Sequence, residues 1–401
     1  MFFLNEQRRT LVAGNYDVVV CGGGIAGIAA ALASARQGKR TLLLERQFML
    51  GGLATAGLIT IYLPLCDGVG RQVSFGIAEE LFKLSILHGA EAKYPANWLD
   101  GVGTRTEKDP RYEVQYNAQL FAILAERLLR DASVEILYGA YAVGVDMETD
   151  MIRHVIVESK SGRQAYGARS VVDATGDCDI ARFANAPTCT FRQGNVPAGW
   201  YYSVGKEGYR LRMIGYSDIP DEEKSPERRA QDAGKPRFAG LEAEEISRFM
   251  QVSHGMTYEH FLKERENAPT VWPVTVSTVP QLRMTRRICG AYELSNREEH
   301  TRFEDSVGMV SNWKKRGPVY EVPFRCLYSK QVRNLITAGR CVSVNEPMWD
   351  VMRVIPCCAV TGQAAGTAAA MTDDFSALDV GTLQAQLRAD GVILHESELK
   401  T

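Results

Sequence analysis

The sequence lacks a charge excess of either sign, since 46 Lys and Arg residues face 48 Asp and Glu residues for a formal net charge of −2. This balance supplies no overall field for holding nucleic acid or an anionic membrane, and we expect neither as a partner. The start, "MFFLNEQRRT", lacks the basic and apolar regions of a secretory signal. Glycines interrupt the most apolar run, "VVVCGGGIAGIAAALASA", which predicts a buried strand and helix in place of a membrane span.

The nine cysteines lack the spacing of a metal or redox motif, because none of them form a CxxC pair. Cys357 and Cys358 are adjacent, an arrangement that suits neither a zinc site nor a relaxed disulfide. We therefore expect no metal, and we expect reduced thiols in a cytoplasmic protein.

The chain does contain the pattern of a strand–helix–strand unit near its start. "YDVVVCGGG" predicts a strand that ends in glycine, "GIAGIAAALASARQG" an Ala-rich helix, and "KRTLLLER" a second strand that ends at Glu45. At 401 residues the chain exceeds one compact core, so two structural units are expected.

Further α/β segments follow this unit. "NAQLFAILAERLLRDA" predicts an amphipathic helix and "SVEILYG" a short strand, while alternation over 140–168 with two turn signals predicts a three-stranded antiparallel excursion. "RSVVDATGD" and "NLITAGR" each read as a buried strand that breaks at glycine, and "PCCAVTGQAAGTAAAM" as a helix of small residues.

Gly22, Gly24 and Gly27 have the G-x-G-x-x-G spacing between the first strand and helix. In this motif the first glycine permits a tight turn, the second admits a pyrophosphate to the backbone, and the third lets helix and strand pack closely. Glu45 stands about 20 residues on, where a ribose-binding acid is expected. The alternative is a Gly-rich turn in an ordinary α/β unit, but the context favours dinucleotide binding.

A second glycine-rich segment distinguishes between dinucleotides. "RQFMLGGLATAG" directly follows Glu45 and is not part of a minimal NAD unit, so it indicates a longer ligand such as FAD. The sequence holds one dinucleotide fingerprint, which argues against a disulfide reductase with a separate nicotinamide domain.

These segments resemble the FAD-dependent oxidoreductases that share their fold with the fumarate reductase and succinate dehydrogenase flavoproteins, in the glutathione-reductase-like superfamily. The resemblance covers the two ends and the centre of the chain and leaves residues 190–275 unmatched. It implies a Rossmann-like α/β FAD-binding domain, a parallel sheet with the antiparallel excursion, and an inserted α+β substrate domain. The implied domains are 16–60, 112–187 and 332–401 for FAD, with 61–111 and 188–331 forming the substrate or cap domain.

The resemblance also implies a set of FAD contacts. The glycine loop would contact the pyrophosphate, Glu45 would contact the adenosine ribose, and the backbone near Ala142 would contact the adenine. The N-terminus of the last small-residue helix would point at the flavin, where it would stabilise negative charge on the reduced form. The implied residues are Gly22, Gly24, Gly27, Glu45, Arg46, Gly51, Gly52, Thr55, Ala142, Thr175, Gly176, Gly339, Arg340, Arg353 and Gln363. For "GQAAGTAAA", tight packing of small residues is an alternative that can hold at the same time.

The implied chemistry is hydride transfer between FAD and a small organic substrate. The substrate pocket is expected between "GGLATAG" and "RVIPCC" on one side and part of "AGWYYSVG" or "QLRMTRRICG" on the other. Arg286 is the candidate catalytic residue, as a contact to an anionic substrate or to the flavin side, because arginine suits bidentate carboxylate binding. A solvated basic turn is the alternative for "RMTRR". Two rival functions remain: a tRNA-modifying flavoprotein and a non-catalytic FAD-binding protein.

Overall fold

The computed structural model describes residues 4–89, 113–215 and 219–399. The strands are β1 Leu11–Cys21, β2 Thr41–Glu45, β3 Ile61–Tyr62, β4 Val114–Gln115, β5 Glu135–Tyr138, β6 Tyr141–Glu148, β7 Met151–Ser159, β8 Gly162–Asp173, β9 Thr188–Thr190, β10 Tyr201–Gly205, β11 Gly208–Arg212, β12 Trp272–Val276, β13 Arg286–Ile288, β14 Ser306–Ser311, β15 Val319–Pro323 and β16 Leu335–Thr337. The helices are α1 Ile25–Arg36, α2 Ile77–Ile86, α3 Ala118–Asp131, α4 Asp179–Phe183, α5 Pro226–Asp232, α6 Ala243–Asn267, α7 Glu346–Met352, α8 Ile355–Met371 and α9 Val380–Ala389.

A seven-stranded sheet forms the centre of the fold, with the order β5-β2-β1-β8-β7-β6 and with β16 paired to β8 beside this path. Strands β5, β2, β1, β8 and β16 are parallel, and β7 and β6 continue antiparallel from β8. This confirms the predicted α/β class, the first strand–helix–strand unit and the antiparallel excursion.

The first strand is longer than its apolar run predicts. Val18, Val19 and Val20 are fully buried, as β-branched residues in a central parallel strand should be. The strand nevertheless starts at Leu11, because its more exposed first half pairs with β8 from Gln164 onward. Pairing with a distant strand, which a local pattern does not display, extends the element.

The register of the sheet brings the predicted glycine turns together. Cys21 of β1 lies opposite Asp173 of β8, and Thr337 of β16 lies opposite Asp173 on the other side. Each of these three residues ends its strand and leads into a glycine-containing turn. Because the carboxyl ends of parallel strands meet at one edge of a sheet, the three turns form a single cluster there.

Helices α1 and α8 pack against each other through backbone-close contacts. A Cβ on Gly362 would lie 2.3 Å from the Ala26 carbonyl oxygen, and one on Gly366 would lie 2.1 Å from the Ala30 carbonyl oxygen. The packing alternative for "GQAAGTAAA" is therefore observed. The contact between Gly362 and Ala26 also sets the N-terminal turn of α1 beside α8.

A long segment of about 100 residues, 191–285, lies between β9 and β13 and outside the central sheet. It contains a three-stranded antiparallel sheet of order β11-β10-β12 and the long helix α6. Its two ends meet where β9 pairs antiparallel with β13. The proposed division into domains depends on this segment, and the boundaries given above stay a prediction.

One expectation about cysteine is wrong: Cys189 and Cys289 form a disulfide, with Cα atoms 6.1 Å apart. The other seven cysteines are thiols and are buried. The disulfide joins residues 100 positions apart, so no short cysteine motif signals it. Disulfides persist chiefly in oxidising compartments, so the cytoplasmic location stays a prediction without the support of reduced thiols.

In the three described ranges, no single helix is long and apolar enough to cross a membrane. Helices α7 and α8 reach that length and composition only as a pair, across a 90° bend.

Candidate functional site

In the first glycine turn, backbone atoms pack so closely that two of the three motif glycines have no room for a side chain. Gly22 has φ +102°, and a Cβ there would lie 2.5 Å from the Ala174 carbonyl oxygen. A Cβ on Gly27 would lie 1.8 Å from the Gly22 carbonyl oxygen. Both positions therefore require glycine for fold reasons. Gly24 differs, because a Cβ added there would meet no protein atom within 4 Å.

The space beside Gly24 lies at a helix N-terminus that is suited to an anion. Gly24 is the N-cap of α1, no side chain caps the helix, and its first turn holds no acidic residue. The first N–H groups of a helix have no acceptor within the helix, and they carry partial positive charge. The unfilled space and uncapped N–H groups match the requirements of a pyrophosphate.

Glu45 lies directly beneath this loop. Its Oε2 accepts a hydrogen bond from the Gly23 N–H at 2.6 Å, and its Oε1 accepts one from the Gln47 N–H at 2.7 Å. Burial raises the pKa of Glu45, and the two N–H groups oppose that rise. The side chain therefore shapes the glycine loop as well as standing where a ribose-binding acid was predicted.

The "GGLATAG" segment packs on the same loop. The Gly51 N–H donates to the Gly23 carbonyl oxygen at 2.8 Å, and a Cβ on Gly52 would lie 3.4 Å from the Gly24 Cα. Thr55 is fully buried, and its hydroxyl donates to the Leu50 carbonyl oxygen at 2.5 Å. The two glycine-rich motifs thus form one continuous surface.

The turns after β8 and β16 complete the cluster. Asp173 shapes the first of them, because its carboxylate accepts hydrogen bonds from the Thr175 N–H and hydroxyl. A Cβ on Gly176 would lie 2.2 Å from an Arg340 guanidinium nitrogen. A Cβ on Gly339 would lie 2.8 Å from the Ala26 Cβ and 3.5 Å from the Cys358 Sγ. The turn after β16 therefore lies at the N-termini of α1 and α8, and the turn after β8 contacts it through Arg340.

Helix α8 presents a second uncapped N-terminus at this edge. Val354 is its N-cap without a side-chain hydrogen bond, and its first turn contains Pro356 and no acidic residue. Pro lacks an N–H, which is tolerated where that group has no acceptor within the helix. Two helix N-termini with partial positive charge thus converge on one end of the glycine cluster.

Other predicted residues have protein partners in the structure. The Gln363 side-chain oxygen accepts a hydrogen bond from the Ile77 N–H at 2.8 Å, and Arg353 pairs with buried Asp350. Arg46 is exposed and lies 5.9 Å from the Tyr141 ring centroid. Ala142 adjoins a register shift between β6 and β7. Their roles toward FAD stay predictions.

Arg286 lies against the turn that follows β8. Its Nη1 contacts the Asp177 carbonyl oxygen and the Asp179 carboxylate, each at 3.3 Å, and the residue is buried. Arg287, beside it, pairs with Glu293 at 2.8 Å. The Arg286 contacts indicate a structural role in holding this turn, and its catalytic role stays a prediction.

Sequence reasoning did not assign a role to Asp177, and it placed Cys358 only within the expected pocket segment "RVIPCC". Asp177 accepts a hydrogen bond from the Thr285 hydroxyl at 2.8 Å and pairs with Arg340 at 3.8 Å, so it links three segments of the chain. The motif "ATGD" contained it, but its partners lie more than 100 positions away. Cys358 follows Pro356 in the first turn of α8, and only the fold places it beside Gly339.

The long segment meets the "GGLATAG" loop, as the pocket prediction requires. The Gln281 amide nitrogen donates to the Gly57 carbonyl oxygen at 2.5 Å, and the Thr278 N–H donates to the Ala56 carbonyl oxygen at 3.0 Å. The hydroxyls of Thr60 and Tyr202 are 2.7 Å apart. Trp200 and Tyr202 also pack on Leu58 in one apolar cluster.

Asp179 gives the site a pH-dependent group. Burial raises its pKa to about 6, with help from the charges of Asp177 and Asp173 and against that of Arg286. Because folding raises this pKa, the protonated form of Asp179 is favoured in the folded protein. The resulting stabilisation of the fold is complete below the unfolded pKa near 4 and is lost as pH rises through about 6. We expect the free energy of unfolding of the wild type, relative to Asp179→Asn, to fall by about 1 kcal/mol between pH 4 and pH 7. This figure allows for solvent screening of a side chain that is 33% exposed.

Urea unfolding of both proteins across this pH range measures the difference. A difference that stays flat would mean that Asp179 titrates at its ordinary pKa.

Comparison with known proteins agrees with this site. The model of the family described as FAD dependent oxidoreductase matches residues 17–254 and 199–387. This match confirms the resemblance stated above, FAD as the cofactor, and oxidoreductase as the class of enzyme. The residues of the glycine cluster fit the cofactor, because they leave space at Gly24 and offer uncapped N–H groups beside it.

A curated relative is the tRNA uridine 5-carboxymethylaminomethyl modification enzyme MnmG of Lactococcus lactis subsp. cremoris (strain MG1363), 29% identical over 175 residues. The match covers 40% of this chain and 24% of the relative, so it spans about a quarter of that enzyme's length.

Two solved structures are similar at low identity. One is a geranylgeranyl bacteriochlorophyll reductase-like protein from Thermoplasma acidophilum (13% identity, 94% of this chain and 83% of that chain, TM-score 0.45). The other is the p-nitrophenol 4-monooxygenase PnpA from Pseudomonas putida DLL-E4 (12% identity, 94% and 81%, TM-score 0.44).

Proposed function

The chain belongs to the FAD dependent oxidoreductase family, and we propose that it exchanges a hydride between a small organic substrate and FAD held across the carboxyl edge of the central sheet. The observation that carries this proposal is the unfilled space at Gly24 beside the uncapped N-terminus of α1. FAD, when bound, supplies the hydride chemistry, and the protein supplies binding, orientation and electrostatics.

Each part of the cofactor has a proposed partner in the cluster. The N–H groups at the start of α1 hold the pyrophosphate, and Glu45 accepts hydrogen bonds from the adenosine ribose. The N-terminus of α8 stabilises negative charge at the flavin end. The remaining proposed contacts are Arg46, Gly51, Gly52, Thr55, Ala142, Thr175, Gly176, Gly339, Arg340, Arg353 and Gln363.

We place the substrate between the "GGLATAG" loop and the long segment. Gln281 of that segment forms a hydrogen bond to Gly57, and Tyr202 forms one to Thr60. These contacts hold the two parts together, and apolar side chains such as Trp200 pack beside them, which supports a pocket at this boundary. An anionic substrate stays a prediction, because Arg286 and Arg287 already have carboxylate partners. In this proposal residues 16–60, 112–187 and 332–401 bind FAD, and 61–111 and 188–331 form the substrate domain.

Anaerobic reduction tests the proposed activity. The purified protein with bound FAD is mixed with members of a metabolite panel in the absence of oxygen, and the visible flavin absorbance is followed. We expect at least one small organic compound to bleach the flavin at a rate compatible with turnover. A flavin that dithionite reduces but that no metabolite reduces or reoxidises would favour the non-catalytic alternative.

The tRNA-modifying alternative has one observation in its favour, the 29% identity to MnmG over 175 residues. The balanced charge of the chain opposes it, since RNA binding usually relies on basic patches. Recovery of tRNA with the purified protein at physiological salt, removed by ribonuclease, would favour this alternative over a small-molecule substrate.

Glu45 provides a test of the proposed ribose contact. We expect Glu45→Ala to weaken FAD binding about 10- to 150-fold, which corresponds to charge-assisted hydrogen bonds of about 1.5–3 kcal/mol. Titration of the apoprotein with FAD measures the affinity. Glu45→Gln retains one acceptor oxygen and the shape of the side chain, so its loss should be smaller. Wild-type affinity in both variants would exclude the ribose contact.

A further inference from the structure

The Cys189–Cys289 disulfide closes the base of the long segment. Strand β9 pairs with β13 through Thr188–Ile288, Cys189–Arg287 and Thr190–Arg286, and the disulfide links Cys189 of β9 to the residue that follows β13. We call this paired region, residues 188–190 and 286–289, the neck. Every residue between the two strands belongs to the long segment, so the neck is where that segment joins the FAD-binding sheet.

The two cysteines of this disulfide are also more exposed to solvent than the protein's other cysteines. Cys189 and Cys289 are each partly exposed, whereas the other seven cysteines are buried. Burial raises the pKa of several of those thiols, including Cys21, Cys178 and Cys357, which keeps them protonated and unreactive. A thiol reductant in solution would therefore meet the neck first.

The neck holds two sets of contacts in place. On one side, Arg286 of β13 contacts Asp177 and Asp179 in the turn after β8. On the other, the long segment carries Gln281 to the "GGLATAG" loop. The disulfide adds a covalent link between residues 100 positions apart to a neck whose strands otherwise pair through three residues each.

We propose that the neck disulfide is a thiol–disulfide exchange site, and that its reduction by a dithiol loosens the long segment and releases FAD. One thiolate of the dithiol attacks a sulfur of the Cys189–Cys289 bond and forms a mixed disulfide, and the displaced cysteine sulfur takes up a proton. The second thiol of the reductant then attacks the mixed disulfide. Two electrons pass to the protein, which gains two thiols, and the reductant leaves as a cyclic disulfide.

The experiment uses the full-length protein with bound FAD, incubated with and without dithiothreitol. Free thiols are alkylated and located by mass spectrometry, and FAD release is followed by the rise in flavin fluorescence. We expect the reductant to expose Cys189 and Cys289 to alkylation while the seven buried cysteines stay protected. Release of FAD should accelerate about tenfold, the equivalent of 1.4 kcal/mol.

The double variant Cys189→Ser/Cys289→Ser is the matched control. It should release FAD at the fast rate under both conditions, because it has no bond to reduce. Two outcomes overturn the proposal: alkylation of both cysteines without reductant, or unchanged FAD release from wild-type protein whose neck thiols are shown to be reduced. Neither readout involves a substrate, so a failure here is distinct from a failure of the proposed hydride transfer.

Discussion

Gly24→Ala is expected to yield a folded protein that no longer retains FAD. The backbone at Gly24 has φ −67° and ψ −178°, a conformation open to any L-residue. An added Cβ meets no protein atom within 4 Å, so the substitution costs the apoprotein little. The methyl group would instead occupy the space where we place the pyrophosphate. We expect FAD affinity to fall at least about 100-fold, or about 2.7 kcal/mol.

Two other glycine variants separate ligand loss from fold damage. Gly255→Ala lies on α6, where an added Cβ also has open space, and it should leave FAD binding intact without lowering stability. Gly27→Ala would set a Cβ 1.8 Å from the Gly22 carbonyl oxygen, so it should lower stability as well as binding. Flavin absorbance per protein and thermal unfolding of the apoproteins measure the two effects. Wild-type FAD content in Gly24→Ala would contradict the proposed position of the pyrophosphate.

The sequence predicted the parts of the site whose function depends on backbone shape. Gly22 and Gly27 are visible because their positions exclude a side chain, and Glu45 because it ends a strand at a fixed distance from them. The antiparallel excursion was visible because polar and apolar residues alternate over 140–168. In each case a short-range pattern reports a local geometric requirement.

The parts that the sequence did not predict are long-range pairings between side chains. An arginine such as Arg286 is suited to binding an anionic ligand. In the fold, however, Arg286 contacts Asp177 and Asp179, more than 100 positions away. The disulfide joins cysteines separated by 100 residues and has no local motif. The Gln363 side-chain oxygen accepts a hydrogen bond from the Ile77 N–H, 286 positions away, and the role of Gln363 toward the flavin stays a prediction. Only the three-dimensional fold specifies such partners.

The sequence of the small-residue helix α8 allows two roles, close packing against another element and a helix N-terminus at the flavin. The structure shows the packing, and the same packing positions the N-terminus. Because Gly362 and Gly366 let α8 approach the Ala26 and Ala30 carbonyls, the first turn of α8 lies near Gly339 and α1. The spacing between α1 and α8 thus sets both the stability of the core and the geometry proposed for FAD.

Gly366→Ala should therefore reduce stability and FAD binding together. Its Cβ would lie 2.1 Å from the Ala30 carbonyl oxygen and 2.7 Å from the Ala30 Cα, and backbone atoms in a buried helix cannot move aside cheaply. Helix α8 must shift away from α1, and we expect the free energy of unfolding to fall by about 3 kcal/mol, at the upper end for overpacked cores. Urea unfolding of the apoprotein measures this loss.

The helical control again is Gly255→Ala, which should gain up to about 1 kcal/mol because alanine favours a helix and the site has room for a methyl group. The opposite signs of the two Gly→Ala changes isolate the α1–α8 contact from helix propensity. FAD affinity should follow stability in Gly366→Ala, since the shift moves the N-terminus of α8 away from that of α1, whereas Gly24→Ala should lose FAD at unchanged stability. A Gly366→Ala protein as stable as the wild type would show that the two helices are not in backbone contact at Ala30.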